Sequence, residues 1–257
     1  AATRVLADWG ATVVKVESTT FLDALRTGQP YKDGIVGPER SANFCNVNIG
    51  KLGVTLDLSK PEGRTIALRL AEWADVVVEN FSPKAMAGWG LDYAALSARN
   101  PGLIMLSTCL SGGSGPQASL AGYGTMGAAI SGFHELTGWA DRPPAGPFLA
   151  YTDYVSPKFV AASILAALNH RDRTGQGQHI DLSQAEASLH FLAPALLDYT
   201  VNQRQRSRDG NNSEECAPHG VFRCAGEDRW IAIAATNQAE WNALCTVAGH
   251  PEWAADS

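Results

Sequence analysis

The chain has 257 residues, 45% hydrophobic and 18% charged, with a formal net charge of −6. That is a globular composition, long enough for one sizeable core or for two domains. The acidic balance, with no long basic run, argues against a nucleic-acid surface, and no apolar run approaches the roughly 18 residues a membrane helix needs.

In chain order, AATRVLADWG reads as a helix and ATVVKVE (11–17) as a strand after Gly10. GVTLDL (53–58) reads as a second strand. Ser59 and Glu62 fit a capping box with Pro61 in the first turn of a helix, which continues with Ile66, Leu70 and Trp73 at helical spacing. ADVVVENF (74–81) is a continuous apolar strand with a polar exit. A helix over 83–98 and the strand LIMLSTCL (103–110) follow. Strands alternating with helices imply a parallel sheet with both faces covered. Ligands in such sheets bind outside the carboxyl ends of the strands.

Residues 111–125 are rich in Gly, Ser and Pro and read as a loop. Ser156 followed by Pro157 looks like a helix cap, with the helix ending at Gly175 in RTGQGQ. HIDLS gives a short strand, and Ser183 with Glu186 a second capping box opening a helix to about Val201. After the polar loop QRQRSRDGNNSEE, VFRCAGEDRWIAIAA reads as a hairpin and QAEWNALCTVAG as a helix. The expected organisation is a large α/β domain over 1–204 and a smaller α+β domain over 205–257. Neither end closes on a complete element, so a chain truncated at both ends is expected. The five scattered cysteines (Cys45, Cys109, Cys216, Cys224, Cys245) read as reduced thiols, hence a cytoplasmic protein.

Several motifs bear on chemistry. GYGTMG (122–127) matches the glycine pattern of dinucleotide sites, but it follows a loop and no strand, so small-residue packing is the simpler reading. Cys216, His219 and Cys224 lack a fourth ligand for a closed zinc site, and no metal is expected. Neither a nucleophile elbow nor a P-loop motif occurs. Arg4 and Arg26 flank the first strand, where either could meet a phosphate or remain a solvated surface charge. In FLAYTDYVSPKF (148–159), Asp153 lies ahead of the expected cap at Ser156. Taken alone, it reads as a cap or turn acceptor.

The order of the pieces carries more. VLADWGATVVKVE, DALR, KLGVTLDLSKPEG, ADVVVENFSP, NPGLIMLS, SGGSGP, the Asp153 segment and ALNHRDRTGQGQHIDLSQAEA together resemble the family III CoA-transferases, over nearly the whole chain. That group includes formyl-CoA and carnitine-CoA transferases and the related α-methylacyl-CoA racemases. The resemblance implies a Rossmann-like large domain, a smaller domain and an interlocked homodimer. It implies no permanently bound cofactor; coenzyme A enters as acyl-CoA substrate, and a carboxylic acid accepts it.

By that resemblance Asp153 is the nucleophile, passing through an acyl-aspartyl anhydride and an aspartyl-CoA thioester. Backbone N–H groups near the helix start expected at Pro157 would stabilise the oxyanions. Tyr123 stands where the racemases carry a histidine, which favours transfer over racemisation. Asn80 and Phe81 match a stretch lining the CoA site, Leu56 a residue near the adenine, and Arg4 and Arg26 polar positions near CoA. Two departures stand out. Ser213 to Cys216 replaces a glycine-rich loop, and Gly124 replaces an acid that follows the tyrosine. An acyl-CoA racemase and a non-catalytic CoA-binding subunit remain the alternatives.

Overall fold

A computed structural model describes residues 1–82 and 84–255. The chain divides into two compact units, one formed by residues 1–133 and 146–205 and the other by 134–145 and 206–257.

The first unit opens on helix α1 (Ala2–Asp8) and strand β1 (Val14–Glu17). Helix α2 (Ala42–Asn48) is capped by Ser41, whose hydroxyl accepts the Phe44 N–H. Strand β2 (Leu52–Thr55) pairs in parallel with β1. Helix α3 (Pro61–Trp73), strand β3 (Val76–Glu79), helices α4 (Ala85–Trp89) and α5 (Tyr93–Ser97) and strand β4 (Ile104–Cys109) come next. Helices α6 (Gly124–Ile130) and α7 (Phe133–Leu136) lead to α8 (Tyr151–Thr174), and strand β5 (Gln178–Ser183) to α9 (Gln184–Leu189) and α10 (Ala193–Asn202).

The parallel strands are those expected, but they form two ladders. β1 pairs with β2, and β3, β4 and β5 form a parallel sheet in that order. The strand alternation separates two apolar layers. Leu106 packs with Val160 and Ile164 of α8, with Ile180 and Leu182 of β5 alongside. Leu103 and Met105 pack with Met86, Leu91 and Leu96 of the α4–α5 side.

Four local expectations are corrected. The Ser59 hydroxyl and N–H bind the Asp57 carboxylate in a turn, and Lys60 is the N-cap of α3. The helix expected over 83–98 is two helices, because Gly90 takes a left-handed conformation (φ 67°) that ends α4; Pro83 lies outside the described residues. The helix expected from Ser183 to Val201 is interrupted by a 3-10 turn at His190–Leu192 before α10, which starts beside Pro194. A proline there removes the N–H that would continue the preceding helix. Ser183 itself caps α9, accepting the Glu186 N–H at 3.2 Å.

The fourth correction matters most. α8 starts at Tyr151, not Pro157, and Pro157 lies inside it. Asp153 is therefore in the first turn of α8. At the other end Gly175 adopts a left-handed cap (φ 73°), as its place in RTGQGQ suggested.

In the second unit, strands β6 (His219–Arg223) and β7 (Trp230–Ala234) form the expected hairpin. Helix α11 (Gln238–Ala248) is capped by Asn237, which accepts the Glu240 N–H at 3.0 Å. Phe222, Ile233, Trp241 and Leu244 line an apolar cleft there of about 320 Å³. Residues 134–145 belong to this unit, with Arg208 paired to Glu135 at 3.0 Å and the Gly210 N–H donating to the Gly138 carbonyl. Among the described residues no helix is long and apolar enough to cross a membrane.

Candidate active site around Asp153

Helix α8 has no side-chain cap; Ala150 occupies the N-cap, preceded by Leu149 at a left-handed φ of 59°. Asp153 thus brings a negative charge to the first turn, where the helix dipole favours it. The Gly124 N–H donates to Asp153 Oδ2 at 3.0 Å. Gly124 starts α6 and has no room for a side chain. A Cβ there would lie 2.5 Å from the Ala150 carbonyl oxygen and 2.7 Å from the Asp153 nitrogen. At Gly127, one turn on, it would lie 2.5 Å from Thr152 Oγ1. Gly124 and Gly127 of GYGTMG let α6 touch the start of α8, and Gly122 lies against Leu110 and Met126, so the packing reading of that motif holds.

Burial pushes the Asp153 carboxyl above the ordinary aspartate value of 3.8, while the Gly124 N–H and the Gln184 side chain pull it back down. Thr152, fully buried, reaches both neighbours of this carboxylate: its Oγ1 lies 3.4 Å from the Gly124 carbonyl and 3.5 Å from Gln184 Oε1. Pro157 adds a further peculiarity. The helical partner of the Asp153 carbonyl would be the N–H of residue 157, and proline has none. The helix start expected at Pro157 lies instead at Tyr151, whose N–H donates to the Leu149 carbonyl, with the Asp153 N–H on the Ala150 carbonyl, each at 3.0 Å.

Tyr123 is the N-cap of α6, so its peptide adjoins the Gly124 N–H on Asp153, and its side chain is 75% exposed. Arg26 and Leu56 meet at the end of the β1–β2 ladder. The Leu56 N–H donates to the Glu17 carbonyl at 2.9 Å. The Arg26 guanidinium forks onto the Glu17 carboxylate at 2.8 and 2.9 Å, bonds Glu39 at 2.8 Å and lies 3.6 Å over the Phe44 ring. That fork holds the Glu17 carboxyl below its usual range. A phosphate at Arg26 would have to compete with two carboxylates.

Arg26 and Glu17 side chains are only 13% and 11% exposed. Arg26→Ala is therefore expected to cost about 3 kcal/mol of stability, by stranding a buried carboxylate, and Arg26→Lys less. Denaturant unfolding measures both. The Glu17 contribution is present above 4.5, the ordinary glutamate value, and is lost as pH falls through the lowered folded pKa.

The other three candidates stand apart. Arg4 donates to Asn46 and pairs with Asp8 at 3.3 Å within α1. Asn80 is exposed just past β3. Phe81 packs edge-on against Trp89 at 5.1 Å and lines a cavity of about 190 Å³ on the Met105 face of the β3–β4–β5 sheet, with Tyr93, His179 and Asp181. Among the described residues no cluster of three or more His, Cys, Asp or Glu could hold a metal; the His219 Nδ1 meets the Asn211 carbonyl oxygen.

The sequence reading missed Gln184 and Thr152. Gln184 directly follows β5 at its carboxyl end, the position where parallel sheets bind ligands; that rule was the available signal. Gly124, read as a departure, is the donor to the carboxylate.

This fold is shared with solved structures of CaiB/BaiF family proteins. A crystal structure of such a protein from Brucella suis superposes with a TM-score of 0.88 at 37% identity, covering 100% of this chain and 67% of that one. Rv3272 from Mycobacterium tuberculosis gives 0.82 at 30% identity, with 100% and 65% covered. The sequence profile of CoA-transferase family III matches residues 1–257, and the chain belongs to that family. Its relatives include succinyl-CoA–D-citramalate CoA-transferase of Chloroflexus aurantiacus, 34% identical over 98% of this chain and 62% of that protein. Succinate–glutarate CoA-transferase of Agrobacterium fabrum is 36% identical over 96% and 62%. Acetyl-CoA:oxalate CoA-transferase of Acetobacter aceti is 37% identical over 99% and 64%. The chain thus spans less than two thirds of the length of these three enzymes.

Proposed function

We propose that the protein is a CoA-transferase that moves CoA from an acyl-CoA donor to a carboxylic acid, with Asp153 as nucleophile. The observation that carries this is the half-buried Asp153 carboxylate, oriented by the Gly124 N–H at 3.0 Å in the first turn of α8. A carboxylate freed of part of its hydration is more basic and a better nucleophile, provided it is ionised.

The Asp153 carboxylate attacks the thioester carbonyl and expels CoA thiolate, forming a mixed anhydride. The thiolate attacks the aspartyl carbonyl, releasing the donor acid as its carboxylate and leaving an aspartyl-CoA thioester. The acceptor carboxylate attacks that thioester, expels thiolate and forms a second anhydride. Thiolate then attacks the acceptor's carbonyl, giving the new acyl-CoA and restoring the Asp153 carboxylate. No proton is consumed, and each intermediate keeps the acyl group activated as long as water is excluded. The positive end of the α8 dipole favours the negative charge of the tetrahedral oxyanions.

Tyr123 takes part as a substrate-facing residue. Arg4, Arg26, Leu56, Asn80 and Phe81 are assigned to CoA, with Arg26 acting from within its ion-pair network. The relatives named above act on succinate, glutarate, citramalate or oxalate, which supports a short dicarboxylic acid as one exchange partner. The interlocked homodimer belongs to the same proposal, and light scattering of the whole protein tests it.

Intact-protein mass spectrometry after incubation with a panel of acyl-CoA esters tests the chemistry. The expected result is a hydroxylamine-sensitive adduct. CoA binding without any adduct, alongside deuterium exchange at the α-carbon, would establish the racemase instead. The adduct rate is expected to fall as pH drops through the raised Asp153 pKa, at a higher pH than an ordinary aspartate with its value of 3.8 would give. A rate flat down to that value would contradict the desolvated nucleophile.

A further inference from the structure

We infer that Glu39 sets the affinity for acyl-CoA. Its exposed carboxylate occupies the outer donors of Arg26 until a phosphate group of the substrate displaces it, so that CoA binds more weakly with Glu39 than without it. This rests on the assignment of Arg26 to CoA in the proposed function.

The two carboxylates on Arg26 are held very differently. Glu17 takes the inner edge of the guanidinium, with Nε donating to Oε2 at 2.8 Å and Nη2 to Oε1 at 2.9 Å. Both side chains of that fork are mostly buried, and Lys15 stands 3.5 Å from the same carboxylate. Breaking the fork would strand a buried charge. Glu39 takes only Nη1, through one oxygen at 2.8 Å, and its side chain is 82% exposed. A single bond to a carboxylate in water is worth little, because water pairs again with the released oxygen. An arriving anion therefore exchanges with Glu39 and leaves Glu17 in place.

The surroundings suit such an exchange. Glu17 ends β1, and Leu56, whose N–H donates to the Glu17 carbonyl, follows the end of β2. Arg26 thus stands at the carboxyl ends of parallel strands, where sheets of this class take their ligands. The guanidinium stays in place without Glu39. Glu17 holds its inner edge, the Pro38 carbonyl accepts from Nη1 at 3.1 Å, and the Phe44 ring covers one face at 3.6 Å. The turn that carries Glu39 is fastened independently. The Arg40 N–H donates to the Gly37 carbonyl and the Lys32 N–H to the Arg40 carbonyl. The Arg40 guanidinium reaches the Lys32 carbonyl and the Asp33 carboxylate, both at 2.8 Å. Rotation of the Glu39 side chain into solvent breaks none of these bonds.

Charge sets the direction of the effect. The ion-paired group holds two cations, Lys15 and Arg26, and three carboxylates, Glu17, Asp23 and Glu39. A phosphate approaching Arg26 meets net negative charge while Glu39 is in place, and a balanced group once it has turned out. The phosphate in turn offers Nη1 more acceptor oxygens and more charge than one carboxylate oxygen does.

The test is calorimetric titration of the whole protein with CoA, 3′-dephospho-CoA and pantetheine, in the wild type, Glu39→Gln and Glu39→Lys. CoA is expected to bind about three- to fivefold tighter to Glu39→Gln, through the loss of one exposed competing pair, and tighter again to Glu39→Lys. Pantetheine, which has no phosphate, should bind all three alike. The gain should shrink at high salt, where exposed charges are screened. A gain kept with 3′-dephospho-CoA assigns the diphosphate to Arg26, and a gain lost with it assigns the 3′-phosphate.

Equal or weaker CoA binding by folded Glu39→Gln overturns the inference, and so does a gain shared by pantetheine. The transferase reading survives either outcome if the wild type still forms the adduct. Conversely, tighter CoA binding by Glu39→Gln with no adduct in the wild type sinks the nucleophile and keeps the inference. Wild type and variants that all fail to bind CoA overturn both.

Discussion

Asp153→Ala is expected to abolish the acyl adduct and to reduce CoA transfer by about 10³-fold or more, since the proposed mechanism forms both covalent intermediates on Asp153. Asp153→Asn should be as inactive, because an amide is a poor nucleophile. Its oxygen can still accept the Gly124 N–H that now meets Asp153 at 3.0 Å. The two variants differ in what they do to the fold. Burial raises the folded-state pKa of Asp153 above the ordinary 3.8. The folded state therefore holds the proton more tightly than the unfolded chain. The stability this gives is complete below 3.8 and is lost as pH rises through the folded pKa. At neutral pH the ionised side chain is a cost to the fold, partly offset by the helix dipole. Asp153→Asn is thus expected to unfold at the same temperature as the wild type or higher, while losing activity. A marked loss of stability in Asp153→Asn would mean that the carboxylate is there for structure. Thermal unfolding and mass spectrometry on the same samples decide it.

Gly124→Ala has the second largest expected effect. The added methyl carbon would sit 2.5 Å from the Ala150 carbonyl oxygen and 2.7 Å from both the Ala150 carbonyl carbon and the Asp153 nitrogen. All three are backbone atoms at a helix start, so no side chain can swing aside. Either α6 withdraws from α8 or the first turn of α8 shifts. Overpacking of this kind costs about 1–3 kcal/mol, and both outcomes pull the Gly124 N–H off the carboxylate. The adduct rate should drop about 10²-fold, as a catalytic group is misplaced by a fraction of an ångström. Gly127→Ala is the control. Its methyl group meets the Thr152 side chain rather than the Asp153 backbone, so stability should fall with a smaller effect on rate. Equal rates in Gly124→Ala and wild type would remove Gly124 from the site.

The element types were legible because their signals are local. Val76 to Glu79 and Ile104 to Cys109 are continuous apolar strands, and RTGQGQ ends α8 through Gly175 in the left-handed region. What the sequence could not reveal was which of two plausible starts a helix uses. Ser156-Pro157 has the chemistry of a cap, whereas Ala150 has none, yet Ala150 is the N-cap and α8 begins at Tyr151. Tertiary contact decides that point, with Gly124 and Gly127 of α6 pressed on Ala150 and Thr152. The strand split between β1–β2 and β3–β4–β5 was likewise invisible, since pairing partners lie far apart in sequence. Asp153 emerged from the resemblance alone, and its bond from the Gly124 N–H needed α6 and α8 in place. Arg26 illustrates the opposite limit. Its residue type suits phosphate, but only the fold reveals that Glu17 and Glu39 already occupy its fork.

The proline inside α8 has a mechanical consequence. At Pro157 the ladder of backbone bonds is missing a rung, the one that would fasten the Asp153 carbonyl to the body of the helix. Beyond it, Val160 and Ile164 are clamped in the layer under Leu106. The turn bearing the carboxylate is thereby joined to the clamped segment by one backbone bond fewer than an unbroken helix would have. In the mechanism proposed above, the changing bulk of Asp153 would fall on this one turn, ahead of the packed remainder of the helix.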